Sequence, residues 1–374
     1  MVSILGRHVD TLEVSVRFDF PDTPKVLLDA AKDEPKNDET GLALFAPTIP
    51  GLPGGPCYIR AYGRRKYQWL IENGSFFAEL STWKSQPALL FKFKAATLYE
   101  YDPDQYGAIV DTFVRALIGS KLEYSHKVRR VDLAVDFQQP DFSLPDMPDV
   151  ITRAKERVVN WDRNTPNAIT LGKRENALQV QLYNKSSEVL VSGKWWMWDV
   201  WAASGNYESL LPVWRVECRW FREGLHQFDL DTLDDVLAAL GDLARYSVGE
   251  SNGVWLRIAD PASRDDQTQT RAAASWWSSV VHALKDGLLT SGRKRKGYDP
   301  QPSLDHLIKL LGSLLAKIGA LQRFGYRSTT ALDPVRLAQW VGWQYEKRLA
   351  LDGKTWPDKV NDKMLDLRCT AWVA

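Results

Sequence analysis

Three segments of the chain place acidic, basic and phenolic side chains at alternating positions. The segment KVRRVDLAVDFQ (127–138) carries Asp132 and Asp136 on one face and apolar residues on the other. Successive side chains of a strand point to opposite faces, so the two carboxylates share a face, with Cα atoms roughly 13 Å apart. Because Asp is disfavoured in strands, two in one run point to a function. An exposed face with weak Arg–Asp pairs is the alternative explanation.

The second segment, LQVQLYNK (178–185), also alternates with a period of two. Its apolar face is Leu-Val-Leu, and its polar face carries Tyr183 with two glutamines and is continued by Lys185. A solvent-facing strand surface often contains these residue types. The tyrosine and the lysine become candidate catalytic residues only when the other two segments are considered with them.

The third segment, VWRVECRWF (213–221), has an acid in the middle of a strand. Glu217 shares its face with Arg215 and Arg219, which lie two residues away on each side. The alternative explanation is a solvated ladder of salt bridges.

The three segments predict one site if they lie in a single sheet with their apolar faces against helices. The opposite face then gathers Asp132, Asp136, Tyr183, Lys185, Arg215, Glu217 and Arg219. Carboxylates are hard oxygen ligands for Mg²⁺ or Mn²⁺, and a tyrosine beside such an ion can act as a nucleophile. Lysine and arginine would hold phosphates. This set is typical of phosphodiester transesterification through a phosphotyrosine; a general-base role for the carboxylates without metal is the alternative.

The order of predicted elements favours an α+β fold. Strands with interspersed helices run to about residue 262, and helices follow, so we expect an antiparallel-rich central sheet with flanking helices and a helical C-terminal region. The predicted domains are a 1–262 core, with a candidate division into 1–120 and 121–262, and a helical domain 263–374 containing the basic linker 292–300.

Individual elements follow from periodicity. Residues 10–20 and 127–138 predict strands, and 103–119 predicts a helix that ends at a glycine. Further helices are expected around 149–160, 231–246, 267–290, 302–324 and 333–351.

Composition excludes several classes of protein. The 374 residues carry a net charge of +1, so any affinity for nucleic acid must come from local basic patches. Three distant cysteines form no disulfide or zinc pattern, and the N-terminus shows no signal sequence, which together favour a bacterial cytoplasm. No stretch is long and apolar enough to span a membrane, so no membrane partner is expected. The five histidines are scattered, which argues against the class of nicking enzymes that binds its metal ion through paired histidines. No Walker A motif is present, so no ATPase is expected.

Basic clusters are candidate DNA contacts, although each also suits a solvated surface. The predicted DNA-binding residues are Arg60, Arg64, Arg65, Lys66, Arg174, Arg215, Arg219, Arg293, Lys294, Arg295 and Lys296. The last four form the densest run and lie between predicted helices, where they could clamp phosphates.

The three motifs resemble those of a known family. RVDLAVDF, then LGKRENALQVQLYNK followed by Glu188, then WRVECRW are similar to the core motifs of the trans-acting replication-initiator family. That family serves rolling-circle plasmids, filamentous phages and related integrative elements, and some members act as relaxases. Asp10-Thr11-Leu12 and the aromatic pair 276–277 add to the likeness, which spans most of the chain. The segment Leu171-Gly172-Lys173-Arg174 departs from the family by lacking a serine.

The resemblance implies an enzyme that nicks and rejoins one strand of origin DNA through a 5′-phosphotyrosine. It assigns the nucleophile to Tyr183 and a divalent metal, Mg²⁺ or Mn²⁺, to Asp132, Asp136 and Glu217, with Asp136 either a direct ligand or a residue behind the ligands. Lys185 is the second candidate catalytic residue. The partner would be duplex DNA that is locally single-stranded at the nick, with a homodimer and a host helicase as further candidates. A non-catalytic sequence-specific DNA-binding protein of the same fold and a hydrolytic metal-dependent nuclease are the alternative functions.

Overall fold

The computed structural model divides the chain into two compact units, residues 1–294 and 295–374. It describes residues 2–34, 41–46, 49–64, 66–174, 176–264, 266–268, 270–295, 311, 314–315, 334–351 and 355–359. Within those residues, none of the helices has the length and apolar character that crossing a membrane requires.

The first unit is built on one antiparallel sheet of eleven strands, in the order β2-β3-β4-β5-β6-β1-β7-β12-β11-β10-β9. These strands are β1 Ser3–Arg17, β2 Leu42–Ala46, β3 Cys57–Arg60, β4 Trp69–Glu72, β5 Phe76–Leu80, β6 Leu89–Phe93, β7 Ser125–Gln138, β9 Arg157–Asp162, β10 Thr165–Leu171, β11 Leu178–Asn184 and β12 Trp214–Phe221. A second sheet pairs β8 Val150–Thr152 with β13 Leu256–Ile258. The antiparallel sheet with its helices confirms the predicted α+β fold.

Helices flank this sheet. They are α1 Asp22–Asp33, α2 Ala95–Glu100, α3 Tyr106–Ile118, α4 Lys185–Ser192, α5 Met197–Ala203, α6 Arg222–Gln227, α7 Leu233–Ala238, α8 Leu240–Ser247 and α9 Ser275–Lys285. In the second unit the structure describes α10, Pro334–Leu351. Short 3-10 turns lie at Pro103–Gln105, Met147–Asp149 and Pro261–Ser263.

The apolar face of the sheet forms the core of the first unit. Phe137 of β7 stacks on Trp276 at 5.7 Å between ring centroids, and the Phe91 and Phe113 rings meet at 5.6 Å. Helices α9 and α3 therefore cover this face. Each buried aromatic side chain of this size contributes on the order of 2–3 kcal/mol through removal from water. The polar face is left for other elements, α4 and α5 among them.

One expected helix is wrong. Residues around 149–160 form β8 and β9 instead. The segment contains β-branched residues at Val150, Ile151, Thr152, Val158 and Val159. β-Branched side chains favour strands, and pairing with β13 and β10 overrides the weak helical periodicity.

The expected helix over 231–246 is divided in two, because the chain leaves helical geometry at Ala239 between α7 and α8. Helix α9 is shorter than the expected 267–290. The expected helix 302–324 falls almost wholly outside the described residues, as do Arg65 and Lys296. The predicted domain boundary at 262 stays a prediction.

Gly224, in α6, lies against the turn that precedes β11. A Cβ at this position would stand 2.3 Å from the Ala177 carbonyl oxygen, which is closer than any Cβ contact allows. Gly107, in α3, offers a matched control, since its Cβ would meet only a Leu233 methyl at 3.9 Å.

We expect Gly224→Ala to lower the free energy of unfolding by roughly 1–3 kcal/mol, because the helix must shift away from the turn. Gly107→Ala should be neutral or stabilising by about 0.5–1 kcal/mol, since alanine loses less backbone freedom on folding. Urea denaturation of the two variants beside the wild type measures both changes. Equal stability of the two variants would contradict the packing described here.

Candidate functional site

The register of three adjacent strands brings the sequence-predicted residues onto one face. Three rows of directly paired residues cross β7, β12 and β11: Asp136–Arg215–Tyr183, Ala134–Glu217–Gln181 and Asp132–Arg219–Gln179. Residues paired across an antiparallel ladder point to the same side, so acids, cations and phenol alternate over one small area.

Tyr183 and Glu217 form the most direct contact in this area. The Tyr183 hydroxyl donates a hydrogen bond to Glu217 Oε2 at 2.8 Å, and Arg219 Nε donates to Glu217 Oε1 at 2.5 Å. Each oxygen of the carboxylate therefore has its own donor. The Tyr183 side chain is half-buried, whereas Glu217 is buried.

The environment of Tyr183 keeps its phenol protonated. Burial, followed by the charge of Glu217, raises the pKa of Tyr183 well above its usual value. A phenol that is neutral at physiological pH becomes a nucleophile only when a base takes its proton as it reacts. Glu217 is within hydrogen-bond distance to accept that proton.

Asp136 lies in a buried ion pair. Arg215 donates to both of its oxygens, from Nε at 2.5 Å and from Nη2 at 2.7 Å, and Trp201 Nε1 donates to Oδ2 at 2.8 Å. The side chains of Asp136 and Arg215 are both 0% exposed. Charges from Arg215 hold the pKa of Asp136 below its usual value although burial opposes this.

Two residues that were not among the predicted site residues, Asp10 and Tyr99, complete this network. Arg215 Nη1 also pairs with Asp10, and its Nη2 lies 2.7 Å from the Tyr99 hydroxyl. Asp10 sits at a β-bulge of β1, where the register with β7 shifts between Val9 and Thr11. Arg215 is thus enclosed by two carboxylates, so the predicted contact between its guanidinium and DNA has no open path in this arrangement.

Asp132 occupies the other end of the face and is also buried. Arg130 donates to both Asp132 oxygens, at 2.9 and 2.5 Å. Burial, with the nearby charge of Glu217, raises the pKa of Asp132 to about 7. Glu217 lies two residues along β12 from Arg219, the register partner of Asp132, so the two carboxylates are diagonal neighbours, while Asp136 is neutralised by Arg215.

The three predicted metal ligands do not form one ligand set. Among the described residues, no three His, Cys, Asp or Glu side chains gather closely enough to hold a metal ion. Hard oxygen ligands for Mg²⁺ or Mn²⁺ fit the Asp132–Glu217 end, because a cation there would relieve the repulsion between two carboxylates. The Asp136 end does not fit a metal ion, because its partner Arg215 is fully buried, whereas Arg130 and Arg219 at the other end are partly exposed and can move aside.

Lys185 borders the tyrosine at the start of α4. Its Nζ lies 5.7 Å from the centroid of the Tyr183 ring and 2.5 Å from Glu188 Oε2. Burial, with the charge of Arg215, lowers the pKa of Lys185. The structure therefore places the Lys185 amino group beside the phenol.

A basic cleft lies on the same side of the sheet. Its volume is about 690 Å³, and its lining includes Arg64, Lys66, Arg129 and Arg174. Glu13 also lines the cleft and is paired in register with Arg130, the partner of Asp132. The cleft therefore adjoins the Asp132 end of the site and, with Lys92 of β6, gathers cations from four separate segments.

The remaining predicted DNA contacts lie elsewhere. Arg60 pairs with Glu72 at 2.7 Å, and Arg293 pairs with Asp235 at 2.7 Å. Lys294 and Arg295 follow Arg293 in the linker. These residues do not join the cleft lining, so the structure separates the basic residues into a clustered group and a dispersed group.

His8 packs over the Asp136–Arg215 pair and is the basis of a pH prediction. Its ring stacks on Tyr99 at 4.0 Å, and its Nε2 lies 3.8 Å from Asp136 Oδ2. Burial lowers the pKa of His8 to about 4; Asp136 and Asp10 oppose the shift, and Arg215 and Arg7 add to it.

We expect the free energy of unfolding to fall as the pH drops from 6.5 to 4, by up to about 3 kcal/mol from this residue. The unfolded chain binds a proton on His8 near pH 6.5, whereas the folded chain resists protonation until about pH 4. Denaturant unfolding at several pH values, with His8→Gln for comparison, isolates the effect. Identical pH slopes for the two proteins would contradict the burial of a neutral imidazole.

Comparison with solved structures finds a distant structural likeness, whereas two other comparisons find no match. No protein-family model matches the chain, and no curated protein matches it either. Among solved structures, the chain is similar to a rolling circle replication initiator protein from Geobacillus stearothermophilus, with 12% sequence identity and a TM-score of 0.41. The likeness covers 79% of this chain and 100% of that one. The function of this chain is therefore argued from its own side chains.

Proposed function

We propose that this protein cleaves and rejoins one strand of DNA at an origin, acting as a replication initiator or relaxase with Tyr183 as its nucleophile. The observation that carries the proposal is the 2.8 Å hydrogen bond from the Tyr183 hydroxyl to Glu217. A nucleophile within hydrogen-bond distance of a base, with cations on both sides, is the arrangement that phosphoryl transfer to a side chain needs.

In the proposed reaction, the Tyr183 oxygen attacks the scissile phosphorus while Glu217 accepts the phenolic proton. The bond from phosphorus to the 3′-oxygen breaks, so the products are a 5′-phosphotyrosine and a 3′-hydroxyl that takes its proton from solvent. The reverse attack by a 3′-hydroxyl rejoins the strand and returns the proton to Tyr183. Lys185 borders the tyrosine ring, and Arg219 shares the Glu217 carboxylate with the phenol; both would stabilise the negative charge of the transition state.

Asp132 and Glu217 are the residues that we propose would hold Mg²⁺ or Mn²⁺. When bound, the ion would polarise a phosphate oxygen and neutralise part of the transition-state charge. It would have to compete with Arg130 and Arg219, which bind these carboxylates in the structure. Asp136 is then a positioning residue that fixes Arg215 behind Tyr183.

The basic cleft is the proposed path of the DNA backbone toward Tyr183. Its arginines and lysines can each neutralise a phosphate, which supplies affinity without reading sequence. A homodimer and a host helicase stay predicted partners of this activity.

A non-catalytic DNA-binding protein of the same fold is the second candidate function. One observation favours it: each of Asp132, Asp136 and Glu217 is bound by its own arginine. Such pairs are also found in proteins where carboxylates have only a structural role.

Tyr183→Phe is the decisive test of the chemistry. We expect it to remove the covalent protein–DNA adduct by at least about 10³-fold, because no other group takes over from a lost nucleophile. The assay incubates supercoiled DNA from the protein's own replicon with Mg²⁺ or Mn²⁺ and measures nicked circles and protein that stays on DNA after denaturation. Tyr99→Phe is the matched control, since the Tyr99 hydroxyl accepts from Arg215 rather than contacting Glu217, and its loss should leave the adduct in place.

An adduct that persists in Tyr183→Phe would rule out this nucleophile. Nicking without an adduct, indifferent to Tyr183, would indicate a hydrolytic nuclease. Specific binding with no nicking under either ion would support the non-catalytic candidate.

The cleft is tested separately through the salt dependence of binding. Each of Lys66→Gln and Arg174→Gln should reduce the slope of log K against log salt by about 0.9 on duplex DNA, or about 0.7 on a single strand. Arg293→Gln is the control, because its guanidinium is paired with Asp235 away from the cleft. Fluorescence anisotropy over a salt series measures the slopes. If only Arg293→Gln reduced the salt slope, the phosphate contact would lie in the linker and not in the cleft.

A further inference from the structure

The connection between α4 and β12 is rich in tryptophan, and three of its four indoles point inward. Trp201 bonds to Asp136, Trp198 meets Trp201 edge-on at 5.2 Å, and Trp196 meets Tyr99 edge-on at 5.0 Å. These three anchor the segment to the buried ion pair behind Tyr183. Trp195 differs, because 57% of it is exposed.

The backbone at Trp195 is nevertheless held by hydrogen bonds. Its carbonyl accepts a hydrogen bond from Trp198 N at 3.1 Å, and the preceding Lys194 carbonyl accepts one from Met197 N at 3.0 Å. Met197 is buried at the start of α5. Among the described residues, no other aromatic ring packs against the Trp195 indole. A rigid backbone therefore presents an open aromatic face to solvent.

A chain of charged contacts connects this indole to the reactive tyrosine. Lys185, beside the Tyr183 ring, pairs with Glu188 at 2.5 Å, and Glu188 pairs with Lys194 at 3.2 Å. Lys194 is the direct neighbour of Trp195 in sequence. Trp195 is thus one residue from a cation that shares Glu188 with Lys185, the lysine that borders the phenol.

We propose that Trp195 is a stacking platform for one unpaired nucleobase beside the scissile phosphate. This inference rests on the proposed function, and it adds a binding site for single-stranded nucleic acid to the chemical site. Every nucleobase has a flat face that can stack on an indole, so the platform would be sequence-tolerant. Lys194, the partly exposed neighbour of Trp195 in sequence, favours a phosphate-bearing ligand over an apolar one. Stacking would hold an extruded nucleotide while the phosphate meets Tyr183.

The inference is tested with full-length protein carrying Tyr183→Phe, so that no cleavage interferes. The probe is a fluorescein-labelled oligothymidylate about 20 nucleotides long, compared with an oligomer of the same length whose central bases are replaced by abasic units. Trp195→Ala should weaken binding of the oligothymidylate by roughly 5- to 150-fold, the range expected for one lost base stack. Trp195→Phe should retain most of the affinity. Trp161→Ala is the matched control, because Trp161 is 62% exposed on the outer strand β9.

Three results together would support the platform. Trp195→Ala should weaken binding of the oligothymidylate whereas Trp161→Ala does not, Trp195→Phe should retain most of the affinity, and Trp195→Ala should not weaken binding of the abasic probe. The salt slope should stay unchanged in Trp195→Ala, which separates stacking from the phosphate contacts of the cleft. The inference would be overturned if Trp195→Ala weakened binding of both probes equally, or if Trp195→Ala and Trp161→Ala weakened binding equally. Failure of the oligothymidylate to bind the protein at all would also overturn it. None of these readouts requires cleavage, so a protein that fails to nick DNA can still pass this test.

Discussion

The site depends on one buried ion pair, Asp136 with Arg215. Both side chains are fully excluded from water, and burial of two charges costs several kcal/mol that their attraction only offsets when every hydrogen bond is made. Here Trp201, Asp10 and Tyr99 supply the missing partners. Loss of either charged group would leave the other unpaired, at a cost of about 3–5 kcal/mol. The pair therefore fixes three strands and the Trp-rich connection relative to Tyr183.

The positions of the polar residues could be read from alternation alone. A period of two places Asp132, Tyr183 and Glu217 on polar strand faces, and the register shows these faces on one side of one sheet. The α+β class followed from the order of strands and helices in the same way. Alternation is reliable here because each of these strands has a fully apolar opposite face, which leaves the core only one way to form.

What escaped prediction depended on contacts between distant parts of the chain. By parity, Asp10 belongs on the face of Leu12, but the bulge in β1 turns it toward Arg215. The different environments of the three carboxylates also could not be predicted, because the strand register and the fold decide which arginine each carboxylate contacts. Residues around 149–160 became strands since pairing outweighed local helical preference.

The position of β1 has a consequence for synthesis of the chain. This first strand lies in the middle of the sheet, between β6 and β7, whose residues are made much later. At about 5–20 residues per second, a ribosome needs roughly 6–24 s to extend the chain from β1 to the end of β7. During that interval both edges of β1 lack their partners, and such edges invite pairing with other chains. β1 carries charged residues, including Arg7, Asp10 and Glu13. Such charges disfavour aggregation of the nascent chain before the folded site has formed.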